Sequence, residues 1–327
     1  MSQVDLELKA GDWVEVKSFL EIAETLGPEG TLDGLPFMPE MLAFCGRRFR
    51  VLRRAEKACF EMTPNSYAIQ EFHNNDVVLL DGLRCSGADH DGCQRTCMLF
   101  WKEAWVRKAE NRPELVISPE PSDLKRLGAR LKTIAAPGGY ICQATELVRA
   151  TQPLTRGRIL LKCLLDIRSG SRGLLEMAWL VLRPLWRKTT QWLPHRTLAG
   201  NLKRTPVGDL KLQPGEWVEI KSEAEIAQTL DRRGCNRGML CDLGMSQYGG
   251  GKYRVRNRLD RMISEPTGEM RAVEGTVILD GLNCLCWNVV GGCPREDFMY
   301  WREVWLKRSN GHTESTKSTQ IGDDGNT

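Results

Sequence analysis

Polar and apolar residues alternate through Trp13-Val-Glu-Val16 and again through Trp217-Val-Glu-Ile220, the period of a half-buried strand. Each run leads into a Ser-x-x-Glu box, Ser18 with Glu21 and Ser222 with Glu225. The serine can accept from the first-turn backbone while the glutamate reaches back, so a short helix ending near Leu26 and Leu230 is predicted. Beyond Gly46, residues 49–51, 77–80 and 100–106 carry the β-branched, aromatic and apolar runs of strands. The pattern then changes. Pro113, Pro119 and Pro121 mark a linker, Ser122-Asp-Leu-Lys-Arg opens a capped helix, and residues 140–150, 159–167 and 174–182 read as further helices. The last continues to Trp186, about 13 residues with Glu176 inside, too short to cross a bilayer of about 30 Å. No transmembrane segment is expected.

The two strand-rich stretches are copies of each other. Residues 8–26 and 212–230 share 12 identities in 19 ungapped positions, where composition alone would give about one. The match continues through Phe49-Arg-Val51 and Tyr253-Arg-Val255, through Leu80-Asp-Gly-Leu83 and Leu279-Asp-Gly-Leu282, and into Phe100-Trp-Lys-Glu-Ala-Trp105 and Tyr300-Trp-Arg-Glu-Val-Trp305. Four pieces follow: a first module at 1–112, a middle segment at 113–210, a second module at 211–308 and a tail at 309–327. The tail has no apolar periodicity and reads as disordered. The recurring pairs Trp101/Trp105 and Trp301/Trp305 are expected in the core, with a stacking surface as the alternative.

Length, 327 residues with 41% hydrophobic, suits two or three domains and excludes collagenous, coiled-coil and low-complexity classes. The net charge of +4 hides a division. Lys+Arg against Asp+Glu is 14 to 18 in the first module, 16 to 7 in the middle and 15 to 14 in the second module. The start of the chain lacks a basic then apolar leader, so a cytoplasmic protein is expected. In that reducing setting the 12 cysteines are thiols or metal ligands rather than a disulfide framework.

Five of these cysteines fall in the first module, with His90 inside Arg84-Cys-Ser-Gly-Ala-Asp-His-Asp-Gly-Cys-Gln-Arg-Thr-Cys97. The Cys93-x3-Cys97 knuckle, with glycines at 87 and 92 to tighten the loop, suits a metal. Cys45, Cys85, Cys93 and Cys97 are the expected ligands, with Cys59 or His90 as substitutes. A structural zinc is the first expectation, iron or an iron-sulfur centre the second, and buried thiols without an ion the third. In the second copy Cys85 and Cys93 correspond to Cys284 and Cys293, but Cys45, Cys59, His90 and Cys97 fall on Gly249, Ile263, Val290 and Asp297. That copy is therefore expected to have lost the site, unless Cys235, Cys241 and Cys286 rebuild it. No catalytic residue can be assigned. His90 between Asp89 and Asp91 would be the base of an enzyme, and a solvated turn is the plainer reading. No phosphate loop or dinucleotide fingerprint occurs, so no cofactor-binding residue is expected beyond the metal ligands.

The x-Gly-Asp-x-Val-x-Val opening resembles the first strand of SH3-like barrels. The set Gly-Asp-Trp-Val-Glu-Val, Phe37-Met-Pro-Glu-Met41, Cys45-Gly-Arg-Arg-Phe-Arg-Val51 and Cys93-x3-Cys97-x2-Phe-Trp-Lys-Glu-Ala-Trp is similar to a bacterial family of duplicated Cys-rich modules to which no activity attaches. The resemblance implies a place beside polysaccharide or specialised-metabolite assembly. The expected fold is α+β: two strand-rich SH3-like modules flanking a helical middle segment. The expected role is a metal-binding interaction or scaffold protein with protein partners. A metal-dependent enzyme is the rival. A third reading binds nucleic acid or an anionic membrane through residues 168–204, where Arg168, Arg172, Arg183, Arg187, Lys188 and Arg196 surround Trp179, Trp186 and Trp192.

Overall fold

A computed structural model of the chain describes residues 8–63, 66–109, 131–135, 138–190, 198–284, 286 and 289–310. The proposed linker and capped helix at 113–130, the 309–327 tail beyond residue 310, and Trp192 and Arg196 lie outside the described residues.

The alternating run becomes β1 (Trp13–Val16), which buries Val14 and Val16. Helix α1 (Phe19–Ala23) follows under the expected cap: Ser18 Oγ accepts from Glu21 N at 3.4 Å and Glu21 Oε2 accepts from Ser18 N at 3.0 Å. Next come β2 (Arg48–Arg54), the hairpin β3 (Ala58–Thr63) and β4 (Ser66–Phe72), then β5 (Val77–Arg84), β6 (Met98–Lys102) and β7 (Val106–Lys108). Five of these strands form an antiparallel sheet in the order β6-β5-β2-β1-β7. The register slips between Val51 and Arg53, a bulge of the kind that bends a sheet.

The strand predicted over 100–106 is broken by a tight turn at Glu103–Trp105. Trp101 and Trp105 are both fully buried and pack edge-on against Phe37, so they serve the core. Trp105 Nε1 donates to Thr25 Oγ1 at 3.1 Å, which ties the residues after α1 to the sheet.

In the middle segment β8 (Thr151–Pro153) pairs with β4 and extends the hairpin to a three-stranded sheet. The helix expected over 140–150 shrinks to α2 (Leu147–Ala150). Thr145 Oγ1 accepts from Cys142 N at 3.0 Å and lies 3.1 Å from Tyr140 O, offering the backbone a side-chain partner in place of a helical one. The other two predictions appear as α3 (Arg156–Arg168) and α4 (Leu174–Thr190). No helix of the described residues is long and apolar enough to cross a membrane.

The second copy repeats the plan with β9 (Trp217–Ile220), α5 (Glu223–Ala227), β10 (Lys252–Arg258), a hairpin of β11 (Arg261–Ile263) and β12 (Met270–Ala272), then β13 (Thr276–Asn283), β14 (Phe298–Arg302) and β15 (Leu306–Arg308). Its sheet runs β14-β13-β10-β9-β15, the order of the first. Trp305 Nε1 again donates to a threonine, Thr229 Oγ1, at 3.0 Å.

Compactness divides the chain differently from its repeats. One unit comprises 1–196 together with 259–274 and 282–299, and the other comprises 197–258, 275–281 and 300–327. The β11-β12 hairpin and the 282–299 loop, both from the second copy, thus pack within the first unit.

If the tryptophans carry the core, Trp105→Ala should cost about 3–5 kcal/mol. Thr25→Val, which strands the indole N–H, should cost about 1–3 kcal/mol. Denaturant unfolding measures both, and a smaller cost for Trp105→Ala than for Thr25→Val would contradict the packing described.

Candidate metal centres

The first centre is built where β3 meets the 282–299 loop. Cys59 sits on β3 opposite Ile69 of β4. The loop leaves the end of β13 and turns back with Cys284 N donating to Asp297 O at 2.6 Å. Gly291 adopts a φ of +75° there, and a Cβ on it would stand 2.5 Å from Cys163 Sγ of α3. The dihedral favours glycine, and any Cβ would also have to displace the Cys163 side chain. Arg172 Nη2 donates to Cys293 O at 3.3 Å.

A buried ion-pair cluster fixes the loop to the strand. Glu265, in the β11-β12 hairpin, accepts from Arg95 Nη2 at 2.8 Å and from Arg295 Nη2 at 2.5 Å, and its other oxygen accepts from Glu61 N at 3.0 Å. Arg295 also donates to Cys59 O at 2.6 Å and pairs with Asp297 at 3.1 Å. All three of Glu265, Arg95 and Arg295 are buried. Burial opposes ionisation of Glu265, but the charges of Arg295 and Arg95 prevail and hold its carboxyl down to about 2.

This clamp brings the sulfurs of Cys59, Cys286 and Cys293 within 4.8 Å of one another, and Cys284 Sγ lies 3.5 Å from Cys286 Sγ. Two sulfurs each about 2.3 Å from a tetrahedral ion would be about 3.8 Å apart. Hydrogen bonds from Cys286 and Cys59, with Arg295 nearby, pull the Cys293 thiol well below its usual range.

The second centre is mixed. Glu40, Cys85 and His90 place one donor atom each within 4.8 Å of one another. A close loop carries the histidine: His90 N and Gly92 N donate to Gly87 O at 3.0 and 2.9 Å, and Cys93 N donates to His90 O at 3.1 Å. Gly87 has a φ of +72°, and a Cβ on it would fall 1.9 Å from Cys93 O, so the loop requires glycine. His90 is 1% exposed. Its Nε2 lies 2.9 Å from Ile141 O, while Nδ1 has no hydrogen-bond partner. The plain solvated turn expected for Asp89-His90-Asp91 does not describe this histidine.

Among the described residues these two groups of three are the ones whose donors converge so closely, and the quartet Cys45, Cys85, Cys93 and Cys97 is not one of them. Cys45 lies in the core of the first unit, its Sγ 4.0 Å from Met41 O, with burial pushing the thiol up to about 12. Burial does the same for Cys97. Cys93 Sγ accepts from Ile263 N at 3.4 Å. Of the six residues singled out by sequence, Cys59 joins the thiol cluster, and Cys85 and His90 join the mixed group. The second copy, expected to have lost its ligands, supplies Cys286 and Cys293. Cys235 and Cys241 are buried and belong to neither group. Glu40 was missed, although it stands in the quoted Phe37-Met-Pro-Glu-Met41 motif.

None of the twelve cysteines forms a disulfide, and the two groups that include cysteines could hold a metal. Because Glu265 is held down to about 2, against about 4.3 for a free glutamate, its contribution to stability is complete above about pH 4.3 and vanishes as pH falls toward 2. Unfolding midpoints followed through that window should drop more steeply in the wild type than in Glu265→Gln. Parallel pH profiles would show that the carboxylate does not carry this load. No family model, curated protein or solved structure matches the chain.

Proposed function

We propose that this is a metal-binding interaction or scaffold protein in which a structural zinc, held by Cys59, Cys284, Cys286 and Cys293, fastens the 282–299 loop to the β3-β4 hairpin. One observation carries the reading: sulfurs from the two copies of the repeat meet within 4.8 Å, beside a fourth that stands 3.5 Å from Cys286. With Cys284 drawn in as the fourth ligand, a closed set of four sulfurs would leave no position for substrate, the arrangement of structural rather than catalytic zinc. Four thiolates around Zn²⁺ carry a net charge of −2, and Arg295 and Arg172, which donate to Cys59 O and Cys293 O, supply compensating charge next to them. Sulfur-only ligation also suits iron, so colour separates the two metals.

A partner-binding role is supported by the helices. Leu160, Leu161 and Leu164 on α3, and Leu174, Leu175 and Leu182 on α4, are exposed, and apolar side chains grouped at a surface are the usual basis of protein association. Cysteines without disulfides suit the cytoplasm. The resemblance to duplicated Cys-rich modules is what suggests polysaccharide or specialised-metabolite assembly as the process.

The full chain, purified anaerobically, tests the metal. It should be colourless, and Cys293→Ser should lose one equivalent of zinc and unfold at lower denaturant. Cys45→Ala should keep its zinc. Unchanged zinc in Cys293→Ser would refute the assignment, and a brown wild type would replace zinc with iron.

A further inference from the structure

We propose that Glu40, Cys85 and His90 form a second metal site, of the open kind, in which a divalent transition ion such as Zn²⁺ keeps one coordination position for a water-sized ligand. The inference does not depend on the thiol cluster, since the two centres share no residue.

The histidine carries the argument. Its Nε2, 2.9 Å from Ile141 O, is placed to donate to that carbonyl, which leaves the Nδ1 lone pair buried and unmatched. A buried acceptor without a partner costs about 1–3 kcal/mol. Metal-bound histidines show the same pattern, with the other ring nitrogen donating to a carbonyl that fixes tautomer and orientation. The glutamate repeats it: Glu40 Oε2 accepts from Ser86 N at 2.7 Å and from Ser86 Oγ at 3.0 Å, while buried Oε1 has no partner. Donor atoms of Glu40, Cys85 and His90 thus lie within 4.8 Å of one another, and two of these residues carry a buried lone pair without a partner.

One nitrogen, one sulfur and one carboxylate oxygen favour zinc over the harder Mg²⁺ or Ca²⁺. Three protein ligands leave a tetrahedral ion one position, as in catalytic zinc sites. Cys85 and His90 line a cavity of about 30 Å³, walled by Met98, Phe100 and Ile263. That is room for about two waters, so the ligand at the open position is water or a small anion rather than a large substrate. The second copy cannot build this centre, because Val290 replaces His90.

The test strips the full chain with chelator, reloads it with Co²⁺ alone, and reads metal content and absorption. The wild type should take two equivalents, and His90→Asn and Cys293→Ser one each. Azide should shift the ligand-field bands of the wild type and Cys293→Ser but not those of His90→Asn. Glu40→Gln, which preserves shape, should weaken Co²⁺ binding at this centre about 10-fold or more. Two equivalents retained by His90→Asn, or unchanged affinity in Glu40→Gln, would overturn the site. One equivalent in the wild type that survives His90→Asn would overturn it and leave the thiol cluster standing. One equivalent lost in His90→Asn but kept in Cys293→Ser would leave this site standing and remove the thiol cluster.

Discussion

Glu265 is the constraint on which the arrangement rests. A carboxylate buried between Arg95 and Arg295 is stable only because every charge near it is answered; an unpaired charge in such a place would cost several kcal/mol. Its second oxygen takes the backbone N–H of Glu61, and Arg295 takes the backbone oxygen of Cys59. The cluster therefore grips β3 by its main chain on either side of Phe60 and presents Cys59 to the loop that carries Cys286 and Cys293. Paired charges set the register, and the thiols inherit it.

One compact unit holds two unlike groups of candidate ligands, in loops that occupy matching places in two similar stretches of sequence. Corresponding loops close with the same backbone bond, Cys85 N to Cys97 O and Cys284 N to Asp297 O. The chemistry inside them has diverged. The first loop turns a histidine inward to meet Cys85 and Glu40, while the second gathers sulfurs and turns Asp297 to Arg295. In the proposed assignments a zinc held by thiols fastens the loop, and an open mixed site stands beside a small cavity.

Local patterns spoke clearly in the sequence. Alternation marked β1 and β9, Ser-x-x-Glu marked the caps of α1 and α5, and repeated tryptophans marked the core, because each depends on neighbours a few residues apart. The thiol ligand set was illegible for the opposite reason. Cys59 and Cys293 are brought together by long-range ion pairing, and the apparent loss of ligands in the second copy was judged against the first copy's positions rather than against the partner its loop would meet. Knuckle spacing pointed to Cys93 and Cys97, yet Cys93 is engaged by the backbone of Ile263 and neither sulfur belongs to a converging group. Glu40 stands in the Phe37-Met-Pro-Glu-Met41 motif with no assigned role, since nothing in its neighbourhood along the chain announces His90.

An anomalous difference map at the zinc edge, from crystals of the full chain grown without chelator, tests the central claim most directly. The account predicts a peak about 2.3 Å from the sulfurs of Cys59, Cys284, Cys286 and Cys293. Continuous density joining any two of those sulfurs as a disulfide, with no peak between them, would contradict it.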